Sequence, residues 1–597
     1  MSEKEFAYAP YNFIPFSNKI ITYEKEIPYH NKIYTNLKTG EISVTITAET
    51  PIFISNGDKN NNRFICNKKG NYIIPASSLR GLIRTNMQIL GFGAVTPNED
   101  FKDYQIYFRE MATKKANLQS NLMNYYKNAL KTITKKSKSG KSYTIPENVK
   151  SGYIQKRGNK YYISPTKSNY LRVSRKHKDL LDFGDEPARV IDIFYEVEDN
   201  VVKSISTNKK PNFQKGKLLY TGKPVSNKNS LYIFPEKESS DEIEVSNEDI
   251  LSYKEDWENR KNVLGYKKDF WALPNKNGEE KPIFYLKLDG HIYFGMSLFL
   301  RIGYKYPLSK GIPVKHIGFK NLDLPHAILG YATNKDAYRS RVFIEDFEAK
   351  NNVRELNPVD IILAGPKASY YAGYVVGRKN YNDEDFQLRG YKQYWLKEIQ
   401  NSEIVKNKNV GTTIRPLPKG TIFKGVIKYK NLYPEELGLL LWSLKLEDNC
   451  FHNIGMGKPY GYGRIKINID DLKEYDFEKL YNLKSISSDV YSKNENSIYE
   501  YIKKYDEYAG KLLNTKNKDD CYSIKECLEI KNLFYMKSKI CDKDEFSYMK
   551  LGEFKTSKPL QTVSEIMEAD YEYDTSLDNK EIDFSKLCSK YGFKSKR

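Results

Sequence analysis

Two hydroxyls and two guanidinium groups stand close together in IIPASSLRGLIR: Ser77, Ser78, Arg80 and Arg84. Around them Leu79, Leu82, Ile83, Met87 and Leu90 recur at helical spacing, so the stretch predicts a helix with Ser77 or Ser78 as its N-cap. Arg80 and Arg84 then lie one above the other, on the face turned away from that apolar stripe. Free N–H groups in a first helical turn, with hydroxyls and arginines beside them, make a seat for phosphate.

A second group comes nearly four hundred residues later. Gly455, Gly457, Gly461 and Gly463 punctuate GMGKPYGYGRIKI, with Lys458, Tyr460, Tyr462 and Arg464 between them. Two readings stand side by side. Glycine lets a backbone approach a ligand, and exposed amides with Lys and Arg suit a phosphate chain; equally, a tight helix-to-strand turn needs glycine for positive φ. No Gly-Lys-Ser/Thr ends the run, so it is not a Walker loop, and it does not open a helix as a dinucleotide fingerprint would. A third stretch, Ala368 to Trp395, mixes cations with aromatics more densely than any other. Arg378, Arg389 and Lys392 alternate there with tyrosines, a composition suited to stacking single-stranded bases while tracking phosphates. A hairpin with tyrosines on its core face explains the same composition.

The elements that must position these groups are legible as patterns. Ile42, Val44 and Ile46 alternate with Ser43, Thr45 and Thr47 as in a strand with one buried face, and a polar loop leads from there to the serine-arginine helix. EELGLLLWSLKL, Glu435 to Leu446, predicts an apolar helix before the glycine turn, and Ile465, Ile467 and Ile469 an alternating strand after it. VFIEDFEA, from Val342, predicts a strand on which Asp346 pairs with Arg339 or Arg341. His452, beside Phe451, reads as a structural histidine.

Between Gly91 and Asp323 the pattern changes to short aromatic runs with turn signals, among them the hairpin SGYIQKRGNKYYISP, so residues 91–323 read as a β-rich region. Its Lys-rich run, KTITKKSKSGKS, reads as a solvated loop. The pattern shifts divide the chain into an arm over 1–40, a strand–helix segment over 41–90, the β-rich 91–323, a second mixed segment over 324–471 and a helical extension over 472–597.

The 597 residues carry 97 Lys and Arg against 76 Asp and Glu, a formal charge of +21. That balance favours a polyanionic partner, although a genome biased toward lysine and asparagine codons would produce the same count. The six cysteines form no Cys-x-x-Cys pair and the six histidines no HExxH, so no zinc spacing exists. No signal peptide and no bilayer-length apolar run is present, which predicts a soluble, cytoplasmic protein with reduced thiols and no membrane partner.

IIPASSLRGLIR, LPHAILGYATNKDAYRSRVFIED and GMGKPYGYGRIKI, in this order, resemble the three signature stretches of the RAMP superfamily, in its backbone-subunit branch from type III CRISPR effector complexes. The resemblance implies an α+β chain built on a ferredoxin-like (RRM-like) core over 41–90 and 324–471, split by a large insertion at 91–323, with guide RNA, target RNA and other effector subunits as partners. Carried over by motif, Ser77, Ser78, Arg80 and Arg84 would hold guide phosphates from one side. The glycine turn with Lys458, Tyr460, Tyr462 and Arg464 would hold them from the other. Cleaving members also use an aspartate between the first strand and helix, with a divalent metal, Mg or Mn. Asp58 is the aspartate of that loop here, but it stands earlier than the family pattern and asparagines, Asn60 to Asn62, fall near the expected place. Two alternatives remain: a superfamily endoribonuclease that processes CRISPR precursor RNA, and a non-enzymatic interaction subunit.

Overall fold

A computed structural model describes residues 6–578 apart from 59–60, 110–116, 137–141, 175–188, 199–200, 221–229, 239–240, 265–267, 334–335, 364–367, 401–410, 482–489, 493–496, 551–552 and 554–557. Its central sheet is built on β2 (Lys38–Ala48), whose residues alternate between buried and half-buried as the period-2 pattern requires. The helix α1 (Ala76–Leu90) follows, then the short strands β3 (Val342–Ile344) and β4 (Phe347–Ala349). After them come β6 (Ile422–Leu432), the helix α2 (Pro434–Lys445), β7 (His452–Asn453) and β8 (Arg464–Tyr475). The sheet is antiparallel in the order β7, β8, β2, β6, with β3 and β4 both on the far edge of β6. β2 is therefore central, flanked by β8 and β6, and residues distant in sequence meet along it.

α1 and α2 pack on each other over the apolar face of this sheet. Leu79, Ile83 and Met87 of α1, Leu437 and Leu441 of α2, and Ile42, Val44 and Ile46 of β2 are all fully enclosed in one cluster. Each such side chain contributes roughly 1.5–3 kcal/mol by leaving water. The N-terminal segment adds β1 (Tyr11–Ile14), which pairs antiparallel with β5 (Tyr391–Tyr394) in a two-stranded ribbon outside the sheet.

Residues 91–323 hold two five-stranded antiparallel sheets. One is ordered Ile243–Val245, Lys160–Pro165, Lys150–Arg157, Glu280–Leu288, His291–Gly295. The other runs Val201–Ser206, Arg189–Glu198, Gln214–Tyr220, Ser230–Pro235, Leu171–Ser174. The expected hairpin is present, turning at Gly158 with φ 59°. The Lys-rich run forms a further hairpin, Thr132–Lys136 with Ser142–Pro146, whose tip lies outside the described residues. Among the described residues no helix is long and apolar enough to cross a membrane.

The helices beyond residue 472 are woven into the core. α3 (Ile498–Leu513) lies along α2, with Tyr501 and Tyr505 fully buried, and the Tyr505 hydroxyl donates to the Leu90 carbonyl, 2.6 Å away. α4 (Leu528–Ser538) packs on α1. Contact between α2 and α3 is close enough that a Cβ on Gly438 would stand 2.0 Å from the Tyr501 carbonyl oxygen. Gly438→Ala should therefore destabilise the protein. The ~1 kcal/mol gained in helix propensity is outweighed by overpacking, about 1–3 kcal/mol. A denaturant midpoint equal to or above the wild type's would show that the two helices part easily.

Candidate functional site

The serine-arginine helix and the glycine turn do meet. They form two walls of a groove of about 490 Å³. Helix α1 presents Ser78, Gly81, Leu82 and Thr85 to it, positions three and four apart that share one face. Opposite stand Gly455, Met456 and Lys458, while the ribbon strand β5 supplies Lys392 and Tyr394. Lys537, near the end of α4, completes the lining.

The groove's electrostatics are those of an unbalanced cation cluster. No Asp or Glu is among its described lining residues. Lys392 Nζ sits 3.8 Å from the Tyr11 ring centre and 5.2 Å from that of Tyr394, and Lys458 Nζ lies 5.5 Å from the same Tyr394 ring. Burial, with the charge of Lys458 nearby, draws the Lys392 amine down to about 8. The same two causes in the same order draw Lys537, which is 3% exposed, down to about 7. Burial alone lowers Lys458. Amines that resist charging for want of a counter-ion are placed to receive an anion.

The arginines and serines are arranged differently from the sequence reading. α1 starts at Ala76, after Pro75, so Ser77 and Ser78 lie in its first turn and neither caps it. Asp346, expected to pair with Arg339 or Arg341, instead accepts a hydrogen bond from the Ala76 amide at 2.7 Å, so a carboxylate of the chain already serves the helix start. Arg80 is half-buried and donates to the carbonyls of Leu329 (2.7 Å) and Val342 (3.3 Å) and to Ser340 Oγ (3.3 Å). Arg84 lies 3.5 Å from Asp100 and 3.3 Å from His326 Nε2. Both point away from the groove because helical spacing gives 80 and 84 a different face from 78, 81, 82 and 85.

Within the turn, all four glycines have positive φ, between 76° and 85°. A Cβ on Gly455, Gly461 or Gly463 would come within 2.2, 2.5 or 2.0 Å of the carbonyl oxygens of Phe53, Glu398 and Ile454. Chain packing thus explains these glycines, as the second reading of the turn had it. Tyr462 is buried, Tyr460 donates to the Ile362 carbonyl at 3.2 Å, and Arg464 is 7% exposed and paired with Glu398 at 3.1 Å. Of the turn's cations and aromatics, only Lys458 lines the groove.

The dense aromatic stretch is mostly core. Tyr371 and Tyr381 are buried in the cluster that also holds Tyr153 and Phe284, and Trp395 is buried in the central one. Arg389, 4% exposed, donates to the carbonyls of Val375 and Leu560, and burial pulls its guanidinium down to about 10. It is therefore no surface contact. Arg378 is exposed but does not line the groove; Lys392 does. Lys537 was missed because nothing local marks it: one lysine among several in a helical extension reads as solvated until the packing of α4 on α1 is known.

Asp58 is an exposed residue in a loop turn, its amide donating to Asn56 Oδ1 at 3.1 Å, just after Gly57 with φ 84°. Among the described residues no three His, Cys, Asp or Glu side chains gather as metal ligands, around Asp58 or elsewhere. His452 lines the groove but is 2% exposed. Its Nε2 is 2.8 Å from the Leu444 carbonyl and its Nδ1 3.4 Å from Asn86 Nδ2. Burial, reinforced by Lys537, holds it down to about 3, so it is neutral and a poor proton acceptor at neutral pH.

The face of α1 away from the groove carries a second polar group. His326 Nδ1 lies 2.8 Å from Asp323 and Nε2 3.2 Å from Asp100. Burial opposes its charge, but hydrogen bonds to both carboxylates win and raise it to about 10. A histidine raised from near 6.5 contributes stability that is complete below about pH 6.5 and lost as pH rises through about 10. Lys392 and Lys537 titrate with the opposite sign in that window, so the check is a difference. The melting temperature of wild type minus that of His326→Gln should shrink steadily from pH 6.5 to 10, and a flat difference would remove the charge from His326.

A family model described as "RAMPs: RAMP superfamily" matches residues 45–276, from within β2 through α1 and into the two sheets that follow. The match covers less than half of the chain and ends before the glycine turn and Lys537. No curated protein matches the chain. Similarity to the RAMP superfamily thus rests on β2, on α1, which forms one wall of the lysine groove, and on the β-rich region beyond them.

Proposed function

We propose that this chain is an RNA-binding subunit of a type III CRISPR effector, and that it holds the guide RNA backbone in the lysine groove. One observation carries the reading: Lys392, Lys458 and Lys537 converge, without an acid, between α1 and the glycine turn. Similarity to the RAMP superfamily supports the RNA class. The chain order β2, α1, β3 with β4, β6, α2, β8, with the first strand between the last and the third, supports a ferredoxin-like core. On this reading residues 91–323 are an insertion into the core and the segment beyond 472 is part of the RNA site. Grip through phosphates is independent of sequence, and base pairing by the guide then supplies specificity.

The test is the nucleic acid the protein carries. Full-length protein expressed with its own CRISPR locus should co-purify with RNA sharing one repeat-derived 5′ end, and ultraviolet crosslinking should place that RNA on the peptide containing Tyr394. Protein that emerges free of RNA and fails to bind polyuridylate would refute the proposal.

A further inference from the structure

Lys392 comes from β5, Lys458 from the turn between β7 and β8, and Lys537 from α4, so three separate elements bring amines into one enclosed space. The other titratable groups facing them offer no balancing charge. His452 on β7 is neutral. Burial pushes the Cys450 thiol, which acts on Lys537, up to about 12. Tyr11 and Tyr394 are held above the ordinary phenol value, in both by burial first. α1 adds only the polar groups of Ser78, Thr85 and Asn86. Lys537 Nζ has a neutral acceptor, Asn453 Oδ1 at 3.2 Å.

We propose that RNA binding in this groove is coupled to proton uptake: three amines from three elements crowd together with no carboxylate among the described lining residues, and entering phosphates supply the missing counter-charge. The inference rests on the groove being the RNA site. Lys537, drawn down to about 7, and Lys392, drawn down to about 8, are each partly discharged near pH 7.5. A unit negative charge at contact distance in a partly dry site outweighs the burial that holds the protons off. Each neutral amine then takes one proton from solvent and becomes an ammonium ion donating to a phosphate oxygen. The sum is about one proton per groove near pH 7.5, declining toward zero below about pH 6. Exposed lysines, near 10.5, add nothing in this range. Uptake rises further above pH 7.5 as Lys392 discharges, so affinity should fall about 25-fold between pH 7.5 and 8.5 at fixed salt.

Calorimetric titration of full-length protein with polyuridylate, in buffers of different ionisation enthalpy at pH 7.5, reads the proton count directly. The observed enthalpy should vary with buffer enthalpy with a slope near one proton, and Lys537→Met should cut that slope by more than half while binding persists through Lys392 and Lys458. Lys392→Met, at a half-buried position, should make the fall of affinity above pH 8 shallower. Zero slope in the wild type, with binding that Lys392→Ala plus Lys458→Ala abolishes, would overturn proton coupling and leave the RNA site standing. Binding undiminished in that double variant would remove both.

Discussion

Replacing Lys392 and Lys458 together by alanine is expected to lower affinity for single-stranded RNA by a hundredfold or more, with little dependence on RNA sequence. Each amine that meets a phosphate makes a charge-assisted hydrogen bond worth about 1.5–3 kcal/mol. Both are more than half withdrawn from solvent and have no carboxylate in the groove to turn to. The salt dependence should weaken as well, the slope of log K against log salt falling by roughly 1.4 for the two charges on a single strand. The pair Arg80→Ala with Arg84→Ala provides the contrast. Arg80 is committed to the carbonyls of Leu329 and Val342, and Arg84 to the Asp100 and His326 group. Their loss should lower thermal stability and leave the affinity of the folded protein within a few fold. If the arginine pair costs more affinity than the lysine pair, the RNA path runs over the other face of α1. Fluorescence anisotropy at several salt concentrations distinguishes the two.

The elements could be read locally because their patterns are local. Alternation in Ile42, Val44 and Ile46 marked β2, and helical spacing from Leu79 to Leu90 marked α1. Two distant segments could be matched only through their resemblance to one motif order, and the sheet brings them together because β2 is central and β8 is its neighbour. Side-chain roles were harder to read. Spacing puts Arg80 and Arg84 on a shared face, but which neighbour covers that face depends on the Leu324–Leu329 helix and β3, which follow some two hundred and fifty residues later. Glycine enrichment announced a tight turn, yet whether the room was for a ligand or for chain depended on the Phe53 and Glu398 carbonyls. Composition overstated the aromatic stretch, because Tyr371, Tyr381 and Trp395 look the same in sequence whether they stack bases or fill a core. Lys537 shows the converse: a site residue whose only signal is its position after folding.

Glu436→Gln should be strongly destabilising despite its conservative chemistry. Arg341 and Glu436, 1% and 0% exposed at their side chains, form a two-pronged pair with bonds of 2.6 and 2.7 Å. The glutamine keeps the shape but leaves a buried guanidinium without its counter-charge, a loss of about 3–5 kcal/mol against a total stability of roughly 5–15 kcal/mol. Replacing both partners with apolar residues often restores stability in buried pairs, but here it should not. Arg341 also donates to the carbonyls of Ala327 and Asn431, and Glu436 accepts from the Tyr433 amide at the start of α2. Arg341→Met with Glu436→Leu strands those three backbone groups at about 1–3 kcal/mol each, so the double variant should unfold no later in denaturant than Glu436→Gln alone. A midpoint near the wild type's would mean that water or a shifted side chain reaches the stranded groups. The pair joins the Leu324–Leu329 helix, β3, the end of β6 and the start of α2, and none of its atoms reaches the lysine groove. RNA affinity per folded molecule should accordingly stay constant in both variants while the folded fraction drops, which separates the residue that holds the fold from the lysines that hold the ligand.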